Sequence, residues 1–316
     1  MATGVRSPVK GGGMRFFADQ LTLGLTLGAI YALIALGYTL VYGIIELINF
    51  AHGDVFTAGG LIGLTLIGIL GLQHASAGLL VVGLVFVFLA AMAINGLLGV
   101  LIERIAYRPL RNAPRLAPLI TAVGVSFVLE GVLFLIKGPN DISFPNLLPG
   151  GSVNLGVVSL GVGNLIIIGI ALVLMIGLQQ FIQRTRIGRA MRATAQDRDA
   201  ARLMGININR TIATTFFIGS ALAAAGGIIN GFYFQTIRFD QGFRAGLIAF
   251  TAAVFGGIGN VVGASVGGFV IGVIYAFVAG YVTGGAQWSD VVIFSILILV
   301  LVFRPTGLLG MRVPEK

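Results

Sequence analysis

Cysteine is absent from the 316 residues, which excludes a disulfide framework, a thiolate metal site and a cysteine nucleophile. Charge is nearly as scarce. Charged side chains make up 10% of the chain, against roughly 25% in an ordinary soluble domain, too few to clothe a globular surface in water. The two histidines are His52 and His74, so neither a metal cluster nor a credible nucleophile–base pair can be assembled, and no enzyme, metal or cofactor is expected. No Gly-x-x-x-x-Gly-Lys-Ser/Thr run occurs, so the chain has no nucleotide-binding motif of its own. Acidic residues number 11 against 20 basic ones. That excess does not point to nucleic acid, because the basic residues sit in short loops between apolar runs rather than on a folded soluble face.

What the chain has instead is apolar surface. Hydrophobic residues make up 57% of it and the mean hydropathy is +1.01. Apolar segments fall at about 21–45, 55–72, 79–102, 117–136, 161–182, 211–235, 245–258, 263–283 and 287–303. A helix of about 20 such residues crosses the roughly 30 Å hydrocarbon core. The expected fold is all-α, a polytopic transmembrane helical bundle of about eight to nine membrane segments, some short or broken. Residues 1–20 read as an N-terminal tail, 21–310 as one transmembrane domain, and 311–316 as a C-terminal tail. The first apolar run is too long for the h-region of a signal peptide, so it is taken as a retained span. The 48 glycines fit membrane helices, where small residues let backbones approach.

Orientation follows from arginine. The loop 103–115 holds Arg104, Arg108, Arg111 and Arg115 against Glu103; the loop 183–210 holds Arg184, Arg186, Arg189, Arg192, Arg198, Arg202 and Arg210 against Asp197 and Asp199. Both are expected on the cytoplasmic face, as is the tail with Arg304, Arg312 and Lys316. The connection 138–160, whose one charge is Asp141, belongs outside. Parity then conflicts with Arg6, Lys10 and Arg15. Either an element around 46–72 is re-entrant or broken, or a positive N-terminus lies outside.

Three motifs stand out. The loop 183–210 reads RTRIGRAMRATAQDRDAARLMGININR from Arg184. Gly188 and Gly205 bracket helix formers, with Ala193, Ala195, Ala200, Ala201, Leu203 and Met204 as apolar contacts. A helix docking a peripheral protein and an anchor for anionic headgroups of membrane lipid both fit. The second motif is Glu46, Asn49, His52 and Asp54. If 46–53 is helical, Glu46, Asn49 and Gly53 share a face, and Asp54 would cap the short segment that follows. Path-lining and an interfacial loop both remain open. The third is the glycine spacing at Gly259, Gly263 and Gly267, repeated at Gly268 and Gly272, which is read as helix packing. Glu130 is a lone acid in its span, and Trp288 and Asp290 read as interfacial anchors.

Asp199-Ala200-Ala201-x-x-x-Gly205 resembles the EAA-x-x-x-G coupling motif of ABC importer permeases, with Asp in the Glu position. The runs GAIYALIALGYTLVYGIIELINFAHGDVFTAGG (28–60), IERIAYRPLR (102–111), AFTAAVFGGIGNVVGASVGG (249–268) and VLVFRPTGLLG (300–310) resemble the permeases of the branched-chain amino-acid ABC transporter family. The resemblance covers almost the whole chain from about residue 20. It implies an inner-membrane, multi-pass importer subunit for leucine, isoleucine, valine or related amino-acid substrates. Its partners would be cytoplasmic ATPase subunits, a second homologous permease subunit and a periplasmic substrate-binding protein. The ATPase contact is then expected at Gly188, Arg189, Arg192, Gln196, Asp197, Asp199, Ala200, Ala201 and Gly205, and the translocation path at Glu46, Asn49, His52 and Asp54. The alternative is an ion-coupled secondary transporter using Glu46 and Glu130 as coupling acids.

Overall fold

A computed structural model describes residues 12–46, 48–111, 113–114, 116–154 and 159–310. Arg6, Lys10, Arg115, Arg312, Lys316 and the tail 311–316 lie outside the described residues. Eleven α-helices are described: α1 (Gly12–Ile45), α2 (His52–Ile69), α3 (Ala77–Ile102), α4 (Leu116–Lys137), α5 (Val162–Arg184), α6 (Arg186–Gln196), α7 (Arg198–Leu203), α8 (Ile208–Phe234), α9 (Gln241–Gly256), α10 (Val261–Tyr281) and α11 (Gly285–Phe303). Eight of the helical segments are long and apolar enough to cross a membrane. The ninth apolar run is α9, at 16 residues the short one. The fold is thus an all-α polytopic bundle. Four short strands add two antiparallel pairs: β1 (Ile142–Ser143) with β4 (Thr236–Ile237), and β2 (Ser152–Asn154) with β3 (Ser159–Gly161).

The bundle inverts the exposure pattern of a soluble protein. Leu79, Val82, Phe86 and Leu89 on α3, Phe127 and Leu135 on α4, and Leu299 and Val302 on α11 are exposed, a surface that suits lipid or a partner subunit rather than water. The centre is α1, buried almost without interruption from Leu27 to Ile45. It packs most extensively against α10, then against α8 and α9.

Helices in lipid gain little by hiding apolar area from one another, so close packing has to hold them. At the α1–α10 seam a Cβ added to Gly28 would stand 2.7 Å from the Phe269 backbone, and one on Gly272 2.2 Å from that of Gly28. Gly268 meets Ala32 on the same seam. Gly263 and Gly267 instead face α9, against Gly256 and the Ala252 carbonyl. The glycine series therefore serves two neighbours rather than one. Gly259 is not in the helix at all; it occupies the turn between α9 and α10 at φ 93°.

Contacts at the helix ends resolve the parity conflict. The Ile44 carbonyl at the end of α1 accepts from Arg198 of α7, so α1 finishes beside the arginine-rich loop. Lys137, closing α4, donates to Thr65 near the end of α2, which places α2's exit at the other end of the bundle. Phe16 and Phe17 pack edge-on against Tyr281 and Phe277 at the end of α10. α1 and α2 therefore run in opposite directions, α10 runs opposite to α1, and α1 starts at the end away from the arginine-rich loops. The segment around 46–72 is not re-entrant.

It is broken, however. Residues 46 and 48–51 are not helical, so Glu46, Asn49 and Gly53 do not share a helix face. Glu46 ends α1 in the left-handed region at φ 58°, a conformation uncommon for a non-glycine residue. His52 then starts α2 beside Gly37, about two turns back up α1.

Candidate functional site

Two of the groups singled out by sequence lie within and just below the bundle at one end. Around the start of α2, Asn49, His52 and Asp54 are all buried. Asn49 accepts a 2.7 Å hydrogen bond from the Tyr107 hydroxyl. His52 packs edge-on to Tyr38, centroids 4.9 Å apart, and reaches the Ile34 backbone. Asp54 does not cap α2. The N-cap position belongs to Ala51, and Asp54 sits inside the first turn, where Ser126 of α4 donates to its Oδ2. Its Oδ1 has no hydrogen-bond partner among the described residues. Glu130, one turn further along α4 and half-buried, acts electrostatically on the same carboxylate. The lone acid of that span therefore faces a second one.

Glycine brings the surrounding backbones together. Cβ atoms added to Gly53 and Gly242 would stand 2.2 and 2.4 Å from each other's carbonyl oxygens, so α2 and α9 touch main chain to main chain. Asn95, a polar residue of α3 that the sequence pattern does not mark, donates to the Val55 carbonyl at 3.0 Å and the Ser220 carbonyl at 2.7 Å. It ties α2, α3 and α8 together. The four expected path residues thus divide: Glu46 is exposed, and the other three are enclosed within the subunit.

The loop 183–210 contains two helices rather than one. Thr185 caps α6, accepting from Gly188 N at 2.9 Å, and Gly188 is buried against the Ile182 carbonyl, which a Cβ would meet at 2.2 Å. The break between α6 and α7 belongs to Asp197. Its φ of −154° is extended, and its Oδ1 accepts from the backbone N–H groups of Asp199 and Ala200 at 2.9 and 3.0 Å, satisfying donors at the new helix start. Gly205 ends α7 at φ 82°, as helix C-termini favour. Arg189, Gln196, Asp199 and Ala200 are exposed, whereas Ala201 packs inward with Met191 and Thr194. Arg192 is turned back, its guanidinium donating to the Ile182 carbonyl. The outward apolar contact is Leu203 and Met204, 88% and 83% exposed.

Beside this segment, Glu103 is fully buried at the end of α3, in a π-helical turn over Glu103–Tyr107. It accepts from Arg111 and, at 3.4 Å, from Arg108. Burial pulls the Arg111 guanidinium down from its ordinary value and Glu103 pushes it back; an arginine stays charged under either influence. On the far side, Arg244 of α9 pairs with Asp290 of α11 through two hydrogen bonds of 2.8 and 3.0 Å. Asp290 is thus the partner of a specific arginine as well as a boundary residue.

A family model described as "Branched-chain amino acid transport system / permease component" matches residues 20–301. The chain belongs to this family. Among its members' relatives, the high-affinity branched-chain amino acid transport system permease protein BraD of Pseudomonas aeruginosa is 45% identical over 307 residues, 95% of this chain and 98% of that one. LivH of Escherichia coli, named for the same type of system, is 43% identical over 306 residues, with 95% and 98% covered. More distant is the fructose import permease protein FruG of Bifidobacterium longum, 26% identical over 82% of this chain and 76% of that one. As a branched-chain amino acid permease family member with eight spanning-length helices, the chain is a multi-pass protein of the inner membrane.

Proposed function

We propose that this chain is the membrane-spanning permease subunit of an ATP-driven importer, with branched-chain or similar hydrophobic amino acids as its cargo. A periplasmic binding protein delivers the cargo, cytoplasmic ATPase subunits dock on α6 and α7, and a second homologous permease subunit completes the pathway. The observation that carries this reading is the segment 185–205. It is capped at both helix starts, held to α5 by Gly188 and Arg192, and presents Leu203 and Met204 outward. Such a rigid, exposed knob on a chain with no nucleotide motif suits a contact with a separate motor.

Closure of the ATPases would move α6 and α7, and the hydrogen bond from Arg198 to the Ile44 carbonyl, 3.1 Å long, leads that motion into the end of α1. The break between Ile45 and His52 lets α2 respond apart from α1. Motion of this kind helps only if the ATPase state binds the two permease conformations differently. The residues Asn49, His52 and Asp54, buried in this conformation, are then the part of the path that has to open. Cargo identity rests on the 45% and 43% identical relatives; the FruG likeness shows that the architecture serves differently named permeases.

The test is the double charge reversal Arg189→Glu with Asp199→Lys. Both side chains are exposed, so membrane insertion should persist while ATP-dependent uptake in reconstituted vesicles is lost. Normal uptake by the double variant overturns the docking assignment. The Asp54–Ser126–Glu130 group favours a second reading, transport coupled to an ion gradient. Uptake by this chain without ATPases, driven by a proton or sodium gradient, would establish it.

A further inference from the structure

Two carboxylates meet deep in the bundle without a counter-charge. Ser126 and Glu130 stand about 15 and 21 Å along α4 from its end at Leu116, in a helix about 33 Å long. Asp54 faces them from the first turn of α2. Neither acid forms an ion pair with a lysine or arginine among the described residues. The one basic residue of α4, Lys137, is spent on Thr65 at the outer end. His52 is turned to Gly37 and Tyr38 instead. Ionisable groups at this depth are expensive and mark functional sites, and two of one sign also repel.

The oxygens left over match one kind of occupant. Ser126 satisfies Oδ2 of Asp54, whose Oδ1 is fully enclosed and has no hydrogen-bond partner among the described residues. Glu130 is half-buried, and its two oxygens make no hydrogen bond among them either. Three free acceptors therefore face one another across α2 and α4. An ammonium group brings three N–H donors and the opposite charge. A hard divalent cation takes about six oxygens or more, and no group of three or more metal-binding side chains occurs among the described residues.

Helix α4 is also placed to move. Its fully buried residues are Pro118, Ala122 and Ser126, four apart along one stripe, and Glu130 continues that line. The stripe rests chiefly on α2 and on the π-helical turn after α3. A helix held along one line can part from α2 without dismantling the core around α1. We propose that the oxygens of Asp54 and Glu130 seat the α-ammonium group of the cargo during translocation, reached when α4 parts from α2. This deepens the importer reading and rests on it. The permease then checks one feature of the cargo, its positive group, whatever side chain the binding protein has delivered.

The experiment uses the intact permease–ATPase complex without binding protein. Dicyclohexylcarbodiimide, an apolar reagent for carboxyl groups, is applied, and the adduct at Glu130 is quantified by mass spectrometry. L-Leucine and isopentylamine, which is leucine without its carboxylate, should each lower the labelling several-fold at millimolar concentration. Isocaproate, leucine without its amine, should leave it unchanged. Labelling that neither amine lowers, equal protection by isocaproate, or protection by sodium ions alone overturns the proposal. A second measurement does not depend on the reagent reaching Glu130. Glu130→Lys sets a tethered ammonium against Asp54, so it should unfold at a higher temperature than Glu130→Leu and keep ATP hydrolysis, yet lose uptake in reconstituted vesicles. Glu130→Asp should retain most of the uptake. Normal uptake by Glu130→Lys, or loss of hydrolysis along with uptake, overturns the proposal. ATP-dependent uptake that ignores every change at Glu130 would leave the importer reading intact and remove this one. That reading itself fails if the unaltered complex with its binding protein takes up no leucine with ATP.

Discussion

Asp54 carries two oxygens into the subunit interior, and Ser126 supplies a donor to one of them. Ser126→Ala removes that donor and leaves a buried group underpaired, which costs about 1–3 kcal/mol. The expected readout is a lower unfolding temperature of the detergent-solubilised protein. Gly53→Ala pushes a methyl into the Gly242 carbonyl and should cost about 1–3 kcal/mol by overpacking. Gly124→Ala, where nothing lies within 4 Å, should be neutral in the same measurement. At this scale the sequence shows only half of each pair. His52 and Asp54 are conspicuous because polar residues interrupt an apolar run. Ser126 and Asn95 are not, since a single small polar residue in an apolar helix carries no pattern, and their partners are 72 and 125 residues away. Glu103 was visible as the acid of a basic loop, but its burial under Arg108 and Arg111 is a tertiary fact.

The elements were legible where apolar length decides them. The nine membrane segments begin and end near the expected limits, although α1 starts at Gly12, ahead of the apolar run. The break after Ile45 matches the limit of the first apolar run and the broken element expected around 46–72, but the left-handed glutamate that ends α1 carries no signal in the sequence. Nor does Asp197 read as a boundary until its carboxylate is seen accepting from two backbone donors. Asp197→Ala should destabilise the start of α7 by about 0.5–2 kcal/mol. The measurement is amide hydrogen exchange, which should quicken over 198–203 and stay unchanged across the α5 core. Exchange that stays slow in 198–203 would mean that the docking surface, not the cap, orders this helix.

For the whole molecule, the positive-inside rule places the loops 103–115 and 183–210 on one face, and the helix directions agree with it. It misleads at the N-terminus, where Arg15 sits on a helix that starts at the other end. The contacts at both ends of α1 outweigh the local charge of Arg6, Lys10 and Arg15. A chain without cysteine allows a direct check with single-cysteine variants and a membrane-impermeant maleimide. Gly13→Cys and Ser152→Cys should react in cells whose outer membrane alone is permeabilised, and Met204→Cys only after the inner membrane is opened. Reaction of Gly13→Cys only in opened cells would reverse the assigned direction of α1. The seam between Gly28 and Gly272 carries a further consequence for biogenesis. The ribosome delivers α1 first and its principal neighbour α10 almost last, on the order of ten seconds or more later at about 5–20 residues/s. Through that interval the small-residue stripe of α1 waits in the bilayer without its mate. Chains truncated before α10 should therefore be recognised by membrane quality-control proteases, while co-expression of a fragment bearing α10 and α11 should rescue them.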